Sequence, residues 1–325
     1  MTVKLTKFLH SRYAMMAAVA LMALVAWATE ASERLVRIVA DRGTALPSAN
    51  SWIASADGNL VAGLAANVLM IGALISLNRT YNLLRSLSML FAVLFAFMQT
   101  ATPELTVQFS TGSLLMLTIV ACTWLMFGCY GRPYLRRRVF LVFFLLSAGA
   151  ATQYAFAVYI PVMLLMCVQM RVFSGRTLVA ALLGVATPWW LLLGFGVVTP
   201  DSVHLPQLES VFSAARVADG VQLGVTALTG AAVFVAAVVL DFFRTMAYNA
   251  RSRSYNGAVV LLGFATIVAM VADYNNMLCY LGVLNACASL QAAQFFIIHR
   301  TERSWIGIAG VLAVYAALAV WNSVA

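Results

Sequence analysis

The sequence predicts an all-α fold, a polytopic transmembrane helical bundle forming a single integral membrane domain over residues 1–325, and three observations carry that reading. Apolar residues make up 63% of the chain and charged residues 10%, where soluble domains carry roughly 25% charged residues. Mean hydropathy is +0.92. The basic residues fall in short stretches between long apolar runs, the pattern of inter-helix turns at a membrane surface.

The stretch 136–190 sets the topology. Arg136, Arg137 and Arg138 precede, and Arg171 and Arg176 follow, 32 residues without a formal charge. Lys and Arg favour the cytoplasmic side of a bilayer, so both clusters belong on that side. The chain must therefore cross and return, turning near Gln153 and Tyr154. Each leg of this short helical hairpin, 139–170, has about 15 residues, fewer than the roughly 20 of a standard span. Such legs need local thinning, a tilted neighbour or a tip below the far surface.

The remaining apolar runs are read in order as spans at 13–29, 59–77, 86–102, 113–129, 177–198, 220–243, 257–272, 277–298 and 305–324. With the hairpin they make about eleven crossings, with the N-terminus cytoplasmic and the C-terminus periplasmic. On this reading sixteen of the twenty Lys and Arg residues face inward. The four outside are Arg34, Arg37, Arg42 and Arg216. Ala26-Trp27-Ala28 resembles a signal-peptidase site, but a retained first helix agrees better with the charge count. Pro103 stops the third span and leaves Glu104 outside. Pro188 lies within the seventh span and is expected to kink it beside Trp189 and Trp190.

Two outer loops stand out, 30–58 and 199–219. The first begins EASERLVRIVADR, with apolar Leu35, Val36, Ile38 and Val39 among charged positions, as in a short amphipathic helix on the outer surface. Glu30, Glu33, Asp41 and Asp57 are its candidate general bases. Arg34, Arg37 and Arg42 are candidates for a phosphate clamp, because guanidinium matches phosphate geometry. Such a set would deprotonate an acceptor hydroxyl and hold a lipid-phosphate leaving group. The plainer reading is a solvated helix face with Glu33/Arg37 and Arg37/Asp41 pairs. Gln153, Tyr154 and His204 are further binding candidates. A lone loop histidine gives no metal site, and no metal or cofactor is expected.

Other features have plain readings. Cys122, Cys129, Cys167, Cys279 and Cys287 lie in apolar runs without C-x-x-C spacing, as small buried hydrophobes. Asn78-Arg79-Thr80 matches a glycosylation sequon on the inner side, as a chance occurrence. Asn67, Gln99, Gln153, Asn285, Gln291 and Gln294 are expected to hydrogen-bond between helices. Gly220 and Gly224 form a GxxxG. Asp241 and Asp273 are expected at span ends, within reach of water. No basic patch alternates with exposed aromatics, so the net charge of +9 does not point to nucleic acid. No repeat, nucleophile elbow, P-loop or H-E-x-x-H is present.

At the hairpin, SAGAATQYAFAVYIPVMLLMCVQMRVFSGRTLVAALLGVATPWW resembles a bacterial family of polytopic inner-membrane proteins of unassigned function. Gly149, Tyr154, Arg171, Arg176, Gly184 and Pro188 stand at the matching places, and the likeness extends over 59–196 through LNRTYNLLRSLSMLFAVLFAFMQ. The resemblance implies a multi-pass protein of the bacterial inner membrane and supplies no activity. In architecture the chain also resembles C-type glycosyltransferases, which use polyprenyl-phosphate sugars and carry a catalytic carboxylate on the first outer loop. It departs from them in having no adjacent acidic pair there, Glu30 and Glu33 being three apart.

Three functions follow. The first is an envelope-biogenesis component or scaffold with other envelope proteins as partners. The second is a periplasmic-face glycosyltransferase acting on a polyprenyl-phosphate lipid, with residues 199–219 as a lid. The third is a lipid or small-molecule transporter. The enzyme needs the loop carboxylates turned into a cavity, the scaffold a packed interior, and the transporter a continuous polar path.

Overall fold

Each apolar run predicted above contains a helix. The computed structural model describes residues 8–32, 43–204, 221–299 and 304–324. We number its helices α1 (Arg12–Ala31), α2 (Ala56–Tyr81), α3 (Leu90–Thr100), α4 (Pro103–Val107), α5 (Thr111–Phe127), α6 (Arg136–Thr152), α7 (Tyr159–Gln169), α8 (Gly175–Gly194), α9 (Val221–Met246), α10 (Ala250–Ala272), α11 (Met277–Ile298) and α12 (Ser304–Val324). There is no strand among the described residues. Seven stretches are long and apolar enough to cross a membrane: α1, α2, α8, α9, α10, the turn-and-helix Tyr274–Ile298, and α12. Apolar helices of this length have nowhere in water to place their outward faces, so the chain is a membrane protein.

The centre is α11, which packs against α9, α10, α5 and α3. It is buried nearly all round, from Met277 to Phe296. Beside it lies α3, whose eleven residues are also almost wholly buried. The sequence reading of 86–102 as a full span shrinks to this short helix followed by α4, which begins at Pro103. A short helix is tolerated here because its neighbours, not lipid, surround it, so backbone outside the helix meets protein groups. α7, also eleven residues long, packs on α10 by one face and leaves Leu165 and Val168 exposed on the other.

Outer helices bury one stripe each. In α1 the stripe is Ala14, Ala18, Met22 and Ala26, four apart, turned to α3 and α4, while Tyr13, Met16, Leu24 and Trp27 face outward. Four-residue spacing keeps these side chains on one helical face, and the alanines allow close approach. In α8 the stripe is Thr177, Ala181, Gly184 and Pro188. The helix runs through Pro188 to Gly194 rather than ending there, and Trp190 is exposed as an interfacial residue would be.

The hairpin turns where the sequence places it, at a 3₁₀ turn over Tyr154–Phe156. Its legs do not chiefly pair with each other. The most extensive helix pair in the protein is α6 with α8. There the Ser147 hydroxyl donates to the Val185 carbonyl at 2.6 Å. A Cβ on Gly184 would lie 2.6 Å from the Phe140 carbonyl oxygen and 2.9 Å from Phe143 Cβ.

The buried amides pair across helices as expected. Asn67 donates to the carbonyls of Gly63 and Leu105 at 2.9 and 2.8 Å. Asn285 donates to Gln99 Oε1 at 3.1 Å, and Gln291 to Asn256 Oδ1 at 2.8 Å. Asn78 of the sequon is buried, donates to the Ser86 carbonyl and accepts from the Leu84 amide, so it belongs to the fold. All five cysteines are free and buried. Gly220 of the GxxxG lies outside the described residues.

The α6–α8 seam gives a direct test. Gly184→Val should lower stability by about 1–3 kcal/mol through overpacking against backbone. Gly194→Ala, with open space around it, should not. Thermal unfolding of both variants in detergent checks this, and an unchanged melting temperature for Gly184→Val contradicts the seam.

Candidate functional site

Polar chemistry collects at one end of the bundle, where the hairpin tip meets the α10–α11 turn. α10 ends at Ala272 and α11 starts at Met277, with a 3₁₀ turn over Tyr274–Asn276 between them. Asp273 leaves the helical conformation there, and its side chain is 2% exposed. Tyr154 Oη donates to Asp273 Oδ1 at 3.0 Å, and Tyr280 Oη donates to Oδ2 at 3.1 Å. Asn276 Nδ2 lies 3.2 Å from both carboxylate oxygens and also donates to the Tyr154 hydroxyl. Gln153 Nε2 donates to Asn276 Oδ1 at 2.8 Å, which closes the cluster. Burial pushes the Asp273 carboxyl above the ordinary carboxylate range, against the opposing pull of the Asn276, Tyr154 and Tyr280 donors.

This corrects the sequence reading of Asp273. Its position at a span end does place it between helices, but the hairpin tip covers it, so water does not reach it. Gln153 and Tyr154 are brought together here as the sequence singled them out, though in a site whose acid was not among the candidates. Asn276 and Tyr280 were missed as well. The signal was present in Asp273-Tyr274-Asn275-Asn276 followed by Tyr280, because positions three and seven beyond the acid return to its side of the turn.

The same tip anchors both loops. Amides of Ala45 and Leu46 donate to the Ala151 carbonyl at 2.9 and 2.8 Å, and that of Thr44 to Thr152 at 3.3 Å. Gly43 begins this contact with φ +66°, and a Cβ there would meet the Leu46 and Thr152 carbonyls. Only glycine adopts that conformation without cost. The His204 amide donates to the Thr44 carbonyl at 2.8 Å, tying the second loop to the first through backbone while its side chain stays exposed.

The candidate carboxylates are less concentrated. Glu30 is half-buried near the end of α1, and Asp57 is exposed in the first turn of α2. Glu33, Arg34, Arg37, Asp41 and Arg42 lie outside the described residues, as do the expected amphipathic helix and most of the expected lid. Glu104 is more enclosed than its place beyond a span implies. Its Oε2 is buried without a hydrogen-bond partner among the described residues, and burial holds its carboxyl above the usual range.

At the opposite end Asp241 is 1% exposed, which corrects its expected access to water as well. It lies beside Gln294, His299 and Arg244. Neither of its oxygens, nor Gln294 Nε2, has a hydrogen-bond partner among the described residues. Gln294 of α11 nonetheless stands against Asp241 of α9, so it too faces a neighbouring helix. Between the two ends, largely apolar side chains enclose the Asn285–Gln99 and Tyr159–Thr266 pairs. A void of about 20 Å³ there is lined by Met70, Leu74, Ile119, Val259, Leu262 and Val283, among others.

The Asp273 cluster predicts a pH signature. A carboxyl whose native pKa is raised stabilises the fold at pH below its ordinary value, and that contribution is lost as pH rises through the native value. Wild type should therefore lose stability relative to Asp273→Asn as pH climbs from about 4 to about 8. Thermal melts of both proteins across that range check it. Parallel curves contradict a buried, proton-favouring Asp273.

No protein-family model, no characterised protein and no solved structure matches this chain.

Proposed function

We propose that the protein is a non-catalytic component of the bacterial inner membrane that presents a rigid docking face to an envelope partner. The arginine-rich end, with Arg79, Arg136–Arg138, Arg171 and Arg253, faces the cytoplasm on this reading, in keeping with the preference of basic residues for that side. The opposite end then faces the periplasm, with the N-terminus inside and the C-terminus outside across about eleven spans.

The observation that supports the reading is the cross-tied face around the hairpin tip. Segments distant in sequence meet there: Gly43–Leu46, Ala151–Tyr154, His204 and Asp273–Tyr280. Each hydrogen bond contributes about 0.5–1.5 kcal/mol, and together they fix loops that would otherwise move independently. A fixed surface keeps down the ordering cost of association. Within the bundle the void of about 20 Å³ is lined almost wholly by apolar side chains, which does not favour passage of a polar solute. Asp57 is exposed in the first turn of α2, as a solvated surface carboxylate is, and Glu30 is half-buried near the end of α1.

A photo-crosslinking residue at exposed Trp52 or Asp201, compared with one at outward-facing Leu182 or Val239, tests this in the native cell. The expected result is a discrete protein adduct from the loop-face positions only, lost when Tyr154→Ala and Asp273→Ala are combined. No loop-face adduct, or turnover of a polyprenyl-phosphate sugar by the reconstituted protein, overturns the proposal.

A further inference from the structure

The arginine-rich end carries a surface that the docking face does not use. Between Glu104 and Asp201 the sequence contains no acidic residue and no lysine or histidine, but six arginines: Arg132, Arg136, Arg137, Arg138, Arg171 and Arg176. The fold gathers them. The Gly131 amide donates to the Met170 carbonyl at 3.0 Å, which joins the loop before α6 to the loop after α7. Arg138 is turned over Gly128 and Tyr81. All six are exposed, and the guanidinium groups of the other five have no hydrogen-bond or ion-pair partner among the described residues. Tyr134 and Phe173, 68% and 51% exposed, stand among them.

This surface is recessed. At a rise of about 1.5 Å per residue, α6 is about 25 Å long and α10 about 34 Å. Their far ends meet at the Tyr154–Asp273 contact. From that contact α10 is thus roughly 9 Å longer than α6. A second contact gives the same offset: Gln169, the last residue of α7, packs on Gly257, seven residues into α10. The arginines thus sit above the start of α10, on the loops that flank exposed Leu165 and Val168. An unpaired guanidinium at that depth is satisfied by an anionic oxygen drawn to it, and phosphate fits its paired donors.

Backbone conformation bears on one of these residues. Arg171 holds φ +57° immediately past the end of α7, where glycine is ordinarily favoured. The chain places a guanidinium there instead.

We infer that the recessed arginine surface at the base of the α6–α7 hairpin binds the headgroup phosphate of anionic phospholipids. The aromatic pair Tyr134 and Phe173 rests in the interfacial layer beside it. The inference needs only that the chain spans a membrane, and it holds whichever side this end faces and whether or not the docking partner exists.

Native mass spectrometry of the detergent-purified protein with added phosphatidylglycerol or phosphatidylcholine tests it. Wild type should retain phosphatidylglycerol about tenfold more than phosphatidylcholine, the scale set by a few surface arginines. Arg136→Gln/Arg137→Gln/Arg171→Gln should abolish that preference, and Arg12→Gln/Arg79→Gln/Arg253→Gln, which removes equal charge elsewhere, should keep it. Arg171→Gly guards against misfolding, because glycine suits the backbone there. It should melt no lower than wild type and still lose several-fold in phosphatidylglycerol retention. Equal retention of the two lipids overturns the inference, as does an equal loss in the hairpin and control variants. A co-purifying acidic protein without lipid preference also overturns it.

Discussion

A carboxyl group taken out of water has to be met by donors or give up its charge, and the architecture around the hairpin tip follows from how Asp273 meets that demand. Its donors come from three places in the chain: Tyr154 on the hairpin, Asn276 in the adjoining turn and Tyr280 in the first turn of α11. Satisfying them fixes the level of the hairpin tip against α10 and α11. That level decides where the Ala151 and Thr152 carbonyls stand, and these in turn receive the first loop. Gln153 adds a second tie through Asn276. A compact polar cluster thus organises loops more than 200 residues apart, from Gly43 to Tyr280.

The short helices have a related explanation. Neither α3 nor α7 is long enough to cross a bilayer of ordinary thickness by itself. α3 succeeds because the longer helices around it carry the lipid contact. α3 lies against α1, α2, α11 and α12, while α7 is held along α10 in a register running from Gln169–Gly257, through the Tyr159–Thr266 hydroxyl pair at 3.0 Å, to Tyr154–Asp273. Length limits apply to helices that face lipid, and burial within protein relaxes them. The cost appears at the base of the hairpin, where its arginines end up recessed.

Much of this was legible in the sequence. Hydropathy located every described helix but the short α4, and the two arginine clusters located the hairpin and its turn at Gln153 and Tyr154. Spacing alone gave the cysteines as unpaired and buried. What was not legible depended on contacts between distant segments. Asp273 looks like a water-exposed turn residue until Tyr154, 119 positions earlier, is folded over it. Asp241 looks like a helix-end acid until α9 packs on α11. The sequence did not say which helix each hairpin leg packs on, and the stripe of small residues on α8 offers α6 a closer fit than α7 does. For the first loop the structure extends the reading only from Gly43 onward, where its role is to dock on the tip.

The central claim is that the Tyr154–Asp273 contact joins the hairpin to the α10–α11 turn as one energetic unit. A double-mutant cycle on Tyr154→Phe and Asp273→Asn, read by reversible unfolding in detergent, measures this most directly. The account predicts a coupling energy of about 1–3 kcal/mol, as for groups sharing one buried hydrogen-bond network. If the two effects add to within about 0.5 kcal/mol, the residues act independently and the hairpin tip is held by something else.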